Sequence, residues 1–160
     1  MTESLRTIIV FTIDGQRYGV DLWMVKRVVR VVEITWVPGM PDKVLGIINF
    51  EGALIPVIDT RKVLNAPARE IELSDQLVIL QSPERVITLL VDGVVGATGY
   101  TGAEEVTMES VIPGTKIIRG ILKEGEDLIF IQDFDRFLSV EEKLVLDSVI
   151  GDQGGTVEHG

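Results

Sequence analysis

Cysteine is absent from the 160-residue chain, and histidine occurs once, at His159, next to the last residue. The first absence removes disulfides, thiolate zinc sites, iron–sulfur ligation and a cysteine nucleophile, and it fits a reducing, intracellular setting. The second leaves any imidazole-dependent triad or metal site reliant on a glycine-rich tail, so histidine chemistry is not expected. Positive charge is scarce: 15 Lys and Arg face 25 Asp and Glu, a net charge of −10. Such an acidic chain is a poor general binder of nucleic acid or anionic lipid, because gripping phosphate takes clustered Lys and Arg. Long apolar runs are missing too. Leu77-Val78-Ile79-Leu80 and Leu89-Leu90-Val91 fall far short of the roughly 18 residues that cross a bilayer, so no direct membrane insertion is expected. Met1-Thr2-Glu3-Ser4-Leu5-Arg6 lacks the basic region and apolar stretch of a secretory signal, and a cytoplasmic location follows as the expectation.

What is present is β structure. Hydrophobic residues make up 46% of the chain, enough for a real core, and Val and Ile dominate short runs punctuated by Gly, Pro, Asp and Asn roughly every ten residues. Thr7 to Ile13, the turn pair Asp14-Gly15 and Arg17 to Val20 read as a hairpin. Further strands are expected at Val25 to Val32, Val44 to Phe50, Leu54 to Ile58, Leu77 to Gln81, Val86 to Val91, Ile117 to Leu122 and Leu128 to Ile131. Asp59 and Asp133 are placed to cap two short helices. Ser139-Val140-Glu141-Glu142 has the spacing of a capping box opening a terminal helix that ends at Gly151. Residues 151–160 form a glycine-rich tail expected to be flexible.

An internal repeat organises these strands. Gly46-Ile47-Ile48 returns as Gly120-Ile121-Leu122, and Leu54 to Asp59 returns as Leu128 to Asp133, both at a shift of 74 residues that continues to Leu64 and Leu138. A looser match sets Ile9-Val10-Phe11 against Val78-Ile79-Leu80. Each half is too small to bury a large core alone, so two curled β units packed side by side are expected, with a binding groove between them.

No constellation stands out as catalytic. Gly93-Val94-Val95-Gly96-Ala97-Thr98-Gly99 lacks both the dinucleotide spacing and the lysine of a phosphate loop, and reads as β backbone that bends or crosses closely. Asp14, Asp21, Asp59, Asp92, Asp133 and Asp135 keep a small carboxylate-dependent hydrolase open as a remote alternative. Asp14 and Asp92 precede glycine and read more simply as turn residues. Asp21 to Arg30 is more informative. Alternation there puts Val25, Arg27 and Val29 on one face and Val28 on the other, a mixture of charge and apolar surface that suits a contact strand.

Phe11-Thr12-Ile13-Asp14-Gly15 followed by Tyr18-Gly19-Val20-Asp21 resembles the opening of the CheW-like adaptor proteins of bacterial chemosensory arrays. So do Gly46-Ile47-Ile48-Asn49-Phe50-Glu51-Gly52, Ile55 to Arg61, Val91-Asp92-Gly93-Val94 and the ending Phe137 to Glu142 with Leu146-Asp147-Ser148. The resemblance covers about residues 7–150. It implies a mainly β fold of two tandem five-stranded SH3-like barrels with short helices and a C-terminal helix. The unit would be one CheW-like domain of two pseudo-repeated subdomains, with a boundary near 65–75 and segments free to exchange between them. It implies no catalysis, no cofactor and no metal.

Members of that family couple methyl-accepting chemoreceptors to the histidine kinase CheA. The resemblance therefore implies three partners: the kinase's regulatory domain, the cytoplasmic tip of receptors, and other adaptors in array rings. A scaffold of a non-flagellar pathway, serving pilus motility or gene regulation, is the alternative. The matching contact positions are Val25, Arg27, Val28, Gly46, Asn49, Glu51 and Gly52. The chain departs from the family at two of them. Where the family has Glu on the strand and Arg in the loop, this chain has Arg27 and Glu51, so the resemblance implies an ion pair with its charges exchanged.

Overall fold

The computed structural model describes residues 5–101, 104–107 and 118–150. The chain runs as β1 (Leu5–Ile13), β2 (Gln16–Asp21), a 3-10 turn (Leu22–Met24), β3 (Val25–Arg30), β4 (Val44–Phe50), β5 (Ala53–Ile58), α1 (Thr60–Val63), β6 (Gln76–Gln81) and β7 (Val86–Val91). It continues through β8 (Gly93–Thr101), β9 (Glu105–Thr107), β10 (Ile118–Glu124), β11 (Asp127–Gln132), a 3-10 turn (Phe134–Arg136) and α2 (Val140–Ile150). The strands form two SH3-like units: a five-stranded sheet in the order β3-β6-β7-β5-β4 and a six-stranded sheet in the order β8-β1-β2-β11-β10-β9.

The repeat is legible in the hydrogen-bond register. Gly46 faces Val57 and Ile48 faces Ile55, while Gly120 faces Ile131 and Leu122 faces Ile129, each pair displaced by the same 74 residues. Both hairpins carry an irregularity just before the glycine. The looser match is equally regular: Ile9 faces Val20 as Val78 faces Leu89. Both copies then add a parallel contact, β5 to β7 and β11 to β2.

The division between units differs from the expected boundary near 65–75. That segment joins α1 to β6 within one sheet, and the change of sheet comes at Asp92, between β7 and β8. The N-terminal hairpin β1–β2 does not join β3; it closes the second sheet between β8 and β11. The second sheet gains β9 as a sixth strand, where the first has only an isolated bridge between Thr35 and Ile47. Strand β8 was not expected from its three glycines, which lower intrinsic strand propensity. Pairing with β1 along its length, from Leu5–Thr101 to Thr12–Gly93, supplies the order that propensity does not.

Alternation along single strands builds three apolar layers. On β6, Leu77 and Ile79 point into the first unit, while Val78 and Leu80 point into the layer between the sheets. On β1, Ile8 and Val10 fill the second unit, and Phe11 and Ile13 enter the shared layer. Phe134, Phe137, Leu138 and Leu146 complete that layer from the C-terminal segment. The space between the units is thus packed core rather than the open groove expected.

The helix signals had mixed outcomes. Asp59 caps α1, its Oδ1 accepting the Lys62 amide at 3.2 Å. Asp133 makes no side-chain cap and pairs instead with Arg136 Nε at 3.2 Å. At α2 the capping box forms in both directions: the Ser139 amide donates to Glu142 Oε1 at 2.7 Å, and the Glu142 amide donates to Ser139 Oγ at 3.0 Å. The cap expected at Gly151, the tail and Ile117 lie outside the described residues. Three ion pairs pin α2 to the first unit: Lys43–Glu142 (3.2 Å), Arg85–Asp147 (2.7 Å) and Lys143–Glu84 (3.4 Å).

Burial pushes the Glu142 carboxyl up, but the Ser139 amide and the Lys43 ammonium outweigh it and hold it below its ordinary 4.5. Its contribution to stability is therefore present above about pH 4.5 and lost as pH falls through the lower folded value. Ser139→Ala is expected to cost about 1 kcal/mol in urea denaturation at pH 7. Glu142→Gln should remove part of the acid-side slope of stability against pH, and an unchanged slope would contradict this assignment.

Candidate functional site

Strands β3 and β4 lie at opposite ends of the five-stranded sheet, yet the sheet curls until its edges meet. Arg27 on β3 reaches Glu51 in the β4–β5 turn, Nη2 to Oε2 at 3.1 Å, and its guanidinium lies 5.3 Å from the centre of the Phe50 ring. The expected ion pair is present, and it bridges the seam where the first unit closes. With Arg27 48% and Glu51 67% exposed, solvent screens it, and its worth to stability is about 0–1 kcal/mol. Stability alone does not account for such a pair.

The turn presenting Glu51 is built by its neighbours. Asn49 Oδ1 accepts the Gly52 amide at 3.0 Å, and both Glu51 (φ 53°) and Gly52 (φ 90°) take left-handed backbone conformations. That combination defines the tight hairpin turn in which glycine is the natural second residue. Gly46 stands behind the seam, not on it. A Cβ there would overlap the carbonyl oxygen of Thr35, whose amide and carbonyl bridge Ile47. Its role is close backbone approach, which holds the segment after β3 against β4.

Val25 and Val28 depart from the simple alternation. An irregularity between Val25 and Arg27 opposes two residues on β3 to one on β6, which shifts the pleat by one residue. Val25 and Val28 therefore both pack against the layer between the sheets, while Val29 turns into the first unit on the same side as Arg27. The structure thus gathers Arg27, Asn49, Glu51 and Gly52 at one seam, with Val25 and Val28 half-buried on the opposite face of the strand.

A second surface lies where the chain first crosses between the sheets. Leu22 and Trp23, on the 3-10 turn that carries the chain between the sheets, are exposed, Trp23 by 71%. With Leu5, Arg6, Thr7 and Asp21 they line a depression of about 520 Å³. Three successive apolar residues, Leu22-Trp23-Met24, without strand alternation were the available signal. Several of the carboxylates open to acid–base work sit in ion pairs with arginine. Asp21 binds Arg119 at 2.9 Å, and Asp92, expected only as a turn residue, binds Arg61 and Arg69 at 2.7 Å each. Among the described residues no helix is long and apolar enough to cross a membrane.

The model of the CheW-like domain family matches residues 7–142. This chain belongs to the CheW-like family. The chemotaxis protein CheW of Bacillus subtilis is 30% identical over 149 residues, covering 88% of this chain and 94% of that protein. CheW of Klebsiella aerogenes is 26% identical over 144 residues, covering 88% and 86%. The crystal structure of the scaffolding protein CheW from Thermoanaerobacter tengcongensis superposes with a TM-score of 0.78 at 27% identity, over 87% of this chain and 96% of that one. The CheW-like chain is thus a chemotaxis scaffold of two SH3-like units.

In this CheW-like chain Gly46 leaves no room for a side chain. Gly46→Ala should destabilise by about 1–3 kcal/mol, because backbone rather than a movable side chain blocks the added methyl. Thermal unfolding checks this. A melting temperature equal to that of the unmodified chain would show that the Thr35 segment is not held as described.

Proposed function

We propose that this chain is a non-catalytic cytoplasmic adaptor that couples methyl-accepting chemoreceptors to a CheA-type histidine kinase. The observation that carries the reading is the exposed seam of the first unit, where Arg27, Phe50, Asn49, Glu51 and Gly52 form a rigid, mixed polar and apolar face. Such a face suits recognition of a folded domain, and the kinase's regulatory domain is its partner in this reading, with Val25, Val28 and Gly46 fixing its shape. The depression beside Leu22 and Trp23 offers apolar surface to the helical tip of a receptor, and further contacts join adaptors into rings. The named relatives and the scaffolding protein of similar structure support this role.

The mechanism is geometric. A scaffold changes kinase output only if its contacts differ between two signalling states, so the adaptor holds kinase and receptor in a relation that receptor movement perturbs. The exchanged pair adds selectivity. A partner complementary to Glu on the strand and Arg in the turn would meet like charges on both here.

Affinity capture from native lysate, read by mass spectrometry, should recover a CheA-type kinase and chemoreceptors; recovery of neither would overturn the assignment. Arg27→Glu and Glu51→Arg should each weaken binding of the cognate kinase, and the double exchange should move preference towards partners of the common charge arrangement. Equal affinities for cognate and non-cognate kinases in all three variants would remove the selectivity role.

A further inference from the structure

The chain crosses between the two sheets twice, and the crossings are unlike. At Leu22–Met24 none of the three residues is buried. At Asp92 the crossing residue is the hub of a charged cluster. Its amide donates to the Thr12 carbonyl at 3.0 Å, and its Oδ2 accepts the Asp14 amide at 2.7 Å, so backbone and side chain both hold the β1–β2 hairpin of the six-stranded unit. From the five-stranded unit, Arg61 Nη2 donates to both carboxylate oxygens at 2.8 and 2.7 Å. Arg69 Nη2 donates to Oδ1 at 2.7 Å.

Each arginine extends the cluster further. Arg61 Nη1 donates to the Pro67 carbonyl at 2.8 Å and lies 3.7 Å from Asp14 Oδ1. Arg69 forks onto Asp75, which is 3% exposed, at 2.8 and 3.2 Å. The connection between α1 and β6 is thereby strapped to Asp92 over a cavity of about 360 Å³. Burial pushes the Asp92 carboxyl up, but the Asp14 amide and the two guanidiniums outweigh it and hold it below its ordinary range as an anion. The internal repeat does not copy the cluster: the position matching Arg61 at the 74-residue shift is Asp135.

The apolar layer between the sheets favours their contact without specifying an angle, because burial of apolar area is non-directional. Charge-assisted hydrogen bonds are directional, and guanidinium–carboxylate pairs add geometric specificity. We propose that Asp92 is a positioning residue: the pivot that fixes the angle between the two units, with the 65–75 connection tied to that pivot through Arg69. One carboxylate then links the β1–β2 hairpin to α1 and the connection that follows it, some fifty residues later in the chain. A force on the strap or on the hairpin reaches the junction through it.

The test uses residual dipolar couplings of the full chain, fitted separately for the two units. The unmodified chain should fit one alignment tensor. Asp92→Asn keeps the shape but loses the charge, and the two units should then need different tensors while each still fits its own fold. Arg61→Lys keeps the charge but loses the second nitrogen, whose bond to the Pro67 carbonyl orients the first, and should do the same to a smaller degree. Arg69→Ala should leave the single tensor intact while amide exchange across 65–75 rises about tenfold. A single unchanged tensor in both Asp92→Asn and Arg61→Lys would overturn the pivot, and unchanged exchange in Arg69→Ala would overturn the strap. If Asp92→Asn does not fold, Arg61→Lys decides. The readout uses the chain alone and is independent of which partners it binds.

Discussion

The apolar layer between the two sheets is the constraint on which the rest of the molecule depends. Phe11, Ile13 and Val20 enter it from the six-stranded unit, Val44, Ile58, Val78, Leu80 and Leu89 from the five-stranded one, and Phe137 and Leu146 from the C-terminal segment. Neither unit owns this layer. Each sheet is apolar on both faces where it meets the other, so a unit isolated from its neighbour would expose one full face to water. The exchange of the N-terminal hairpin follows the same logic, because the second sheet is complete only when β1 and β2 lie between β8 and β11. The α2 helix, which follows the second sheet, is held by Lys43, Glu84 and Arg85 of the first. Both ends of the chain therefore cross over, and two small units become one body.

On that body, directional polar contacts refine what apolar burial leaves loose. They fall where backbone segments meet: Arg27 and Glu51 across the seam of the first unit, Asp92 with its arginines between the units, Asp21 with Arg119 within the second. The seam pair is exposed and weak, while the Asp92 and Asp21 pairs are largely shielded from solvent. Their value is in geometry. A scaffold needs its contact surfaces held in a constant relation, and several carboxylates are drawn into ion pairs with arginine.

Much of this was legible in the sequence because the relevant signals are local. Val44–Phe50 and Val86–Val91 were bounded correctly by alternation and turn residues, the capping box at Ser139 by its spacing, and the repeat by its glycine and aspartate. The Arg27–Glu51 contact followed from the family resemblance, since nothing in either residue alone brings opposite edges of a sheet together. What could not be read was decided by pairing at long range. Strand β8 is glycine-rich and is ordered by β1, some ninety residues earlier in the chain. The irregularity on β3 turned Val25 onto the face of Val28, and no residue type announces such a shift. Asp92 looked like a turn residue because its partners at positions 14, 61 and 69 are brought to it only by the fold.

In the proposed role, a two-unit scaffold with dissimilar faces gives a physical route from fold to signalling, since coupling would require both partners to be held by one body. The most direct test is the autophosphorylation rate of a CheA-type kinase captured with this chain, measured with its chemoreceptor in membranes, with and without this chain. Receptor control of the rate should appear only when the chain is present. Receptor control of equal size in its absence would contradict it.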